Sequence, residues 1–356
     1  MRRREFVRSV VGATAVLAMS ERWSRAQSPP AGRREVSIGG RRVRVIDVHA
    51  HVVTPEVEEV VKGTPLEKAA AAGLGSLVPG PARLATMDAQ GVDIQLISIN
   101  GFWWYAADRD LARRIVLAQN EGLAKWMKTH PMRFIPMASV ALQFPDLAAE
   151  QLEDATKRLG LRGVTIGGHV AGEDLSLPKY DPFWAKAAEL GAVVFMHPGG
   201  SENIIKPGTL GGRGDLGNII GNPLETTYFL SRLIFDGTLD KFPALRICAA
   251  HAGGYLPSYL GRTDVACEVR PGAKCANKRR PREYFKDQLL IDTMVFSEEG
   301  LRHLVSEVGV SQIVYGTDVP YNWPVTVDLI LNAKFLSDSE KEAILSGNLR
   351  RLLKIV

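Results

Sequence analysis

The chain has 356 residues, room for two domains or one large α/β barrel, with 46% hydrophobic and 23% charged side chains. Those proportions are ordinary for a globular protein and exclude disordered, collagen-like and coiled-coil chains. The formal net charge is +5, but residues 1–26 hold six arginines against two glutamates, and the remainder carries 38 basic and 37 acidic side chains, leaving no bulk basic surface for nucleic acid or an anionic membrane.

The excess charge reads as an address. Arg2-Arg3-Arg4-Glu5-Phe6-Val7-Arg8 precedes an apolar stretch from about Val10 to Met19, too short for a transmembrane helix. Ser24-Arg25-Ala26 then offers small residues flanking a cut after Ala26. The pattern resembles a twin-arginine secretion signal, with Arg3-Arg4 as the pair, and predicts removal of 1–26 and a periplasmic location. No other segment approaches the ~20 apolar residues of a membrane span.

Residues 27–42 read as a linker, Pro29-Pro30-Ala31-Gly32, followed by a short hairpin around Gly39-Gly40. From 43 to 356 one pattern repeats. Apolar or β-branched runs fall at Val43–Val48, Ile94–Ile99, Phe134–Val140, Gly163–Ile166, Val193–Met196, Leu245–Ala249, Leu289–Asp292 and Gln312–Tyr315. Between them lie stretches of helical spacing at Asp108–Thr129, Asp146–Leu159, Pro182–Leu190, Leu224–Phe235, Glu298–Val308 and Val325–Leu336, with closing helices after Asp338. Strands alternating with helices pair in parallel, and eight such units predict a (β/α)8 barrel whose functional groups gather at the carboxyl ends of the strands. Of the three cysteines, Cys248 sits in an apolar run as a core residue, while pairing of Cys267 with Cys275 depends on an oxidising compartment and is left open.

Four runs end in potential metal ligands. The first closes on His49 and His51, which, two apart on a strand, face the same side. The fifth closes on Met196-His197-Pro198, the sixth on Ala250-His251-Ala252-Gly253-Gly254, and the eighth on Gly316-Thr317-Asp318. Each alone is weak; their convergence on one mouth is not. Nitrogen and carboxylate ligands without thiolate select one divalent ion, Zn²⁺ first, with Mn²⁺, Fe²⁺ or Co²⁺ also fitting. His49, His51, His197 and Asp318 supply four ligands, a water a fifth, and His251 is left to move protons. The fourth run, Gly163-Val164-Thr165-Ile166-Gly167-Gly168-His169, has no lysine to bridge a second ion, so the site is expected to be mononuclear.

Together, Ile-Asp-Val-His-Ala-His (46–51), Arg83 to Asp93, Phe195-Met-His-Pro198, Pro223-Leu-Glu-Thr-Thr227, Ala250-His-Ala-Gly-Gly254 and Tyr315-Gly-Thr-Asp-Val-Pro320 resemble the amidohydrolase superfamily, in the branch typified by aminocarboxymuconate semialdehyde decarboxylase. The resemblance implies the same four metal ligands with His251 as acid and base. It adds Arg83 and Arg262 as carboxylate binders and implies a homodimer in which Arg262 enters the neighbouring site. This chain departs from the type member after His-Pro, where a tryptophan is replaced by Gly199-Gly200 and a long Gly-rich loop. Phe102, Trp103, Trp104 and Tyr105 follow the second run and are candidates to wall the pocket, with Trp103, Trp104 and His169 as substrate contacts. Gly211-Gly212-Arg213-Gly214 lacks the strand-to-helix context of a phosphate cradle, and the basic run from Lys274 to Arg282 reads as a solvated loop or subunit contact.

The expected activity is metal-dependent decarboxylation of a small unsaturated or aromatic carboxylate. Hydrolysis of a lactone, ester or amide by the same site is the alternative. A non-catalytic exported binding protein is a third reading, distinguished by whether loss of His251 abolishes turnover.

Overall fold

A computed structural model describes residues 32–355 apart from 73, 74 and 325. The expected signal and the start of the linker lie outside the described residues. The hairpin pairs Ser37–Ile38 with Arg41–Arg42. Eight strands that pair in parallel follow, besides a short antiparallel pair at His169–Val170 and Glu173–Asp174: β1 (Ile46–His51), β2 (Ile94–Ser98), β3 (Phe134–Pro136), β4 (Gly163–Ile166), β5 (Val193–Met196), β6 (Arg246–Ala249), β7 (Leu289–Asp292) and β8 (Ile313–Val314).

β1 to β3 and β4 to β8 form two parallel sheets in sequence order. Two seams join them. Ala138 pairs with Val164, its N–H donating to Gly163 O at 2.8 Å, and Ala50 pairs with Val319 beside the 2.9 Å bond from Val48 N–H to Tyr315 O. The sheet is thereby closed into the (β/α)8 barrel.

Six strands, with Met137 just after β3, send Ile46, Val48, Ile94, Leu96, Met137, Val193, Phe195, Cys248, Leu290 and Val314 into one buried cluster, the barrel interior. Leu349 and Leu353 of the last helix, Asn348–Leu353, join it. The alternate side chains, such as Ile97, Val194, Ile247 and Ile291, pack outward against the helices.

The principal helices are α1 (Pro81–Gln90), α2 (Arg109–Thr129), α3 (Pro145–Lys157), α4 (Asp181–Leu190), α5 (Asn222–Phe235), α6 (Leu260–Val269) and α7 (Glu298–Val308). Asp108 and Ser297 cap α2 and α7 by accepting from the N–H groups of Leu111 and Gly300. The stretch read as helical over 325–336 contains a helix only at Val327–Leu331, and α1, which carries Arg83, had no place among the expected helices. Its Pro81 start and Gly91 end in the left-handed region were visible, but its apolar face is thin: Arg83 and Met87 are its buried residues.

One irregularity aims the site. β1 pairs with β2 at Ile46–Ile94 and Asp47–Gln95, then at Ala50–Ile97 and His51–Ser98, so two residues of β1, Val48 and His49, oppose Leu96 alone. Strict alternation from Ile46 and Val48, both inside the barrel, would turn His49 and His51 outward toward the helices. The bulge reverses that phase and brings both imidazoles inward.

Candidate metal centre

The ligand-capable atoms of His49, His51, His197 and Asp318 all lie within 4.8 Å of one another, and all four residues are buried. They come from β1, the end of β5 and the turn after β8. Hydrogen bonds from Asp318 N–H to His49 O and from His51 N–H to Val319 O, both 2.9 Å, stitch that turn to β1. Gly316 makes the approach possible, since a Cβ there would lie 2.9 Å from Asp292 Cβ and 3.1 Å from His49 Cβ.

The Nε2 atoms of His49 and His51 are 3.3 Å apart, and Asp318 Oδ1 lies 3.1 and 2.8 Å from them, buried and without a hydrogen bond. A buried carboxylate oxygen left unsatisfied amid imidazole nitrogens is what a cation would complete, so the residues fit one divalent ion. Two of the histidines are oriented by the far nitrogen. His49 Nδ1 meets Asp292 Oδ2 at 2.7 Å, and His197 Nδ1 meets the Pro198 carbonyl at 2.8 Å, leaving the Nε2 atoms for the centre.

Electrostatics point the same way. Burial, with the neighbouring imidazoles, lowers His51 to about 4 and puts His197 well below its ordinary value, so both are neutral and their lone pairs are free at pH 7. For His49 burial is outweighed by Asp318 and Asp292, which raise it to about 10; Asp318, despite burial, is held well below the carboxylate range by His49, His251 and His51. The centre is thus an anionic oxygen facing three nitrogens, a donor set that favours a cation.

His251 sits beside them, its ring 5.1 Å from His197 and 5.3 Å from His49, with Nε2 3.7 Å from Asp318 Oδ2. It occupies the left-handed region at φ 54°, held by its own N–H and that of Ala252 donating to Asp292 at 3.1 and 2.7 Å. Its Nδ1 is buried and has no hydrogen-bond partner among the described residues.

The other expected contacts are placed less directly. Arg83 is buried, donating to His51 O at 2.7 Å and Gln95 Oε1 at 3.4 Å, directly behind a metal ligand. Arg262 is exposed on α6, and its side chain makes no hydrogen bond or ion pair among the described residues. His169 has both ring nitrogens engaged: Nδ1 accepts from Gly172 N–H at 3.0 Å and Nε2 meets Gly200 O at 3.3 Å. Trp103 rests on the strand ends, because Gly167 and Gly199 lack the Cβ atoms that would come within 3.1 and 3.3 Å of its Nε1. Trp104 packs with Phe102 at 5.9 Å and belongs to a cluster with Val57, Val61 and Leu111.

Sequence reasoning missed Asp292, although Leu-Leu-Ile-Asp ends β7 and a carboxylate closing an apolar strand was the available signal. It also missed Asp47, which accepts from His49 N–H, Thr317 N–H, Thr317 Oγ1 and Gln95 Nε2, latching β1 to β8; burial raises it to about 6 against those bonds. Glu225, quoted within a motif but given no role, lies 1% exposed, with burial pushing its carboxyl up to about 8 against three backbone donors.

A parallel (β/α)8 barrel with one mononuclear metal site at its carboxyl-terminal rim defines the class: the metal-dependent hydrolases and lyases of this barrel type. Within it, residues 46–355 match the amidohydrolase family model, and the chain belongs to that family, in the branch of aminocarboxymuconate semialdehyde decarboxylase. It is 32% identical over 278 residues to a 2-amino-3-carboxymuconate-6-semialdehyde decarboxylase of Dictyostelium discoideum, covering 75% of this chain and 74% of that one. The 5-carboxyvanillate decarboxylase of Sphingomonas paucimobilis superposes with a TM-score of 0.79 at 25% identity, over 88% of this chain and all of the other (100%). The 5-carboxyvanillate decarboxylase of Novosphingobium aromaticivorans, solved with manganese and 4-hydroxy-3-methoxy-5-nitrobenzoic acid, superposes with a TM-score of 0.76 at 25% identity, over 88% and 96% of the two chains.

Proposed function

We propose that this protein is an exported metal-dependent carboxy-lyase that removes carbon dioxide from a small aromatic or unsaturated carboxylate. One observation carries the reading: the four-residue ligand cluster stands beside a histidine, His251, whose buried Nδ1 has no hydrogen-bond partner among the described residues. That pairing supports proton transfer to a ligand bound at the rim. The named relatives are decarboxylases, which supports the lyase over hydrolysis of a lactone, ester or amide.

A divalent ion held by His49, His51, His197 and Asp318 supplies Lewis acidity toward the substrate's oxygens. The protein's own groups do the rest. Protonated His251 delivers a proton to the carbon bearing the carboxylate; the carbon–carboxylate bond then breaks, its electron pair stays in the conjugated system, and carbon dioxide leaves. Asp292, by accepting from both His49 and the His251 backbone, keeps acid and ligand in one register. Trp103 on its glycine seat supports a flat substrate by stacking. Incubating the metal-replete protein with a panel of aromatic acids and lactones tests the reading: released carbon dioxide is expected, and ring-opened product alone would overturn it.

Three finer assignments belong to the same proposal. Zinc suits a three-histidine, one-carboxylate set, manganese being the ion in the Novosphingobium relative, and mass spectrometry of the purified protein decides between them. Arg262 shares the outer side of α6 with exposed Val265 and Val269, near Tyr259, which supports a homodimer through that helix; light scattering on an Arg262→Glu variant is expected to report a monomer. Export is read by a mature mass beginning at Gln27.

A further inference from the structure

The Pro223-Leu224-Glu225-Thr226-Thr227 segment forms the first turns of α5, and its polar side chains reach three strand ends. Glu225 Oε1 accepts from Gly168 N–H at 2.9 Å, just beyond β4, while Oε2 accepts from Gly199 N–H at 2.9 Å and Gly200 N–H at 2.6 Å, just beyond His197. The fit excludes side chains: a Cβ on Gly168 would lie 2.6 Å from Glu225 Oε1. Two residues along, Thr227 Oγ1 donates to Pro223 O and accepts from Tyr255 N–H, both at 2.7 Å, in the turn that follows His251. That contact too needs glycine, since a Cβ on Gly254 would come within 2.3 Å of Pro223 O.

We infer that Glu225 and Thr227 are positioning residues: one helix turn sets the metal ligand His197 and the acid–base His251 in register, Glu225 from the β4–β5 side and Thr227 from the β6 side. The geometry requires two accepting oxygens at 225. Three N–H donors converge on them from two loops, and a buried donor without an acceptor costs about 1–3 kcal/mol. An amide would keep its oxygen on Gly199 and Gly200 and turn its NH₂ against Gly168 N–H, unlatching β4 from β5 with little change in volume. At 227 the hydroxyl both donates and accepts, which valine of the same shape cannot do.

The inference rests on the metal-site reading and deepens it, and its two halves are read separately in the full-length holoprotein. By chelator competition, Glu225→Gln is expected to weaken zinc or manganese binding about tenfold, the lower end of what disturbing the supports of metal ligands costs. Thr227→Val is expected to keep metal affinity within about twofold but lower kcat about tenfold or more, a misplacement effect, with Thr227→Ser restoring it. Metal affinity of Glu225→Gln equal to that of the parent overturns the first half. Equal kcat for the valine and serine variants overturns the second. If Glu225→Gln fails to fold, Glu225→Asp, which keeps the carboxyl group and shortens its reach, carries the same metal measurement, and the Thr227 pair decides the other half independently. A protein that decarboxylates nothing yet loses metal affinity at Glu225→Gln would sink the lyase reading and leave the latch standing.

Discussion

At the scale of single residues, the proposed mechanism separates groups that would hold the ion from one that would move a proton. His251→Ala is therefore expected to lower kcat at least about 100-fold while metal content is retained, checked by steady-state assay and elemental analysis of the same sample. Unchanged turnover would favour the binding-protein reading. Asp292 acts through others: its Oδ2 orients His49 and its two oxygens anchor the turn of His251. Asn in its place would face an N–H with an NH₂, so Asp292→Asn is expected to weaken metal binding about 10- to 100-fold. Affinity within twofold of the parent would assign the orientation of His49 to the fold alone.

At the scale of elements, small irregularities matter more than the regular strands. The bulge in β1 decides which face His49 and His51 occupy. Gly316 and Gly254 let backbones and ligands approach where no Cβ fits. The segment after α6 is closed by a disulfide between Cys267 and Cys275, Cα atoms 6.0 Å apart, while Cys248 is free and buried inside the barrel. Thiol titration of the denatured, unreduced protein from the periplasm is thus expected to find one thiol, rising to three after reduction. Three thiols without reductant would show that the bond does not form. A bond that survives purification accords with export, since reducing compartments disfavour it.

At the scale of the whole molecule, the ligand cluster joins parts of the chain distant in sequence, β1, the rim of β5 and the turn after β8, which a bound ion would link. An ion that binds the folded barrel and not the open chain stabilises it by mass action, about 2.7 kcal/mol at 100 times its dissociation constant. For a chain of this size that corresponds to about 4 °C in Tm, so chelation should lower Tm by about that much and readdition of zinc or manganese restore it, followed by calorimetry. An unmoved Tm would place the ion outside the folded interior. No helix among the described residues is long and apolar enough to cross a membrane.

The sequence by itself determined the barrel and its site's ingredients, because strand-and-helix alternation is local and because His49, His51, His197, His251 and Asp318 each end an apolar run where a barrel keeps its chemistry. It also carried the boundaries of β4, β5 and β7, whose β-branched residues are bracketed by turns. What the tertiary structure alone decided follows from contacts across the barrel. Period-two alternation from Ile46 would have sent His49 and His51 outward, and the two-against-one pairing of Val48 and His49 with Leu96 turned them in. Asp292 and Glu225 looked like a strand end and a helix start, since nothing local tells that three or four donors from distant loops will close on each carboxylate. Arg83, read as a substrate contact, lies buried against His51 O because α1, with its thin apolar face, packs it there. Motifs name the reactive groups from short-range pattern; their aim is set by long-range hydrogen bonds that leave no periodic trace in the chain.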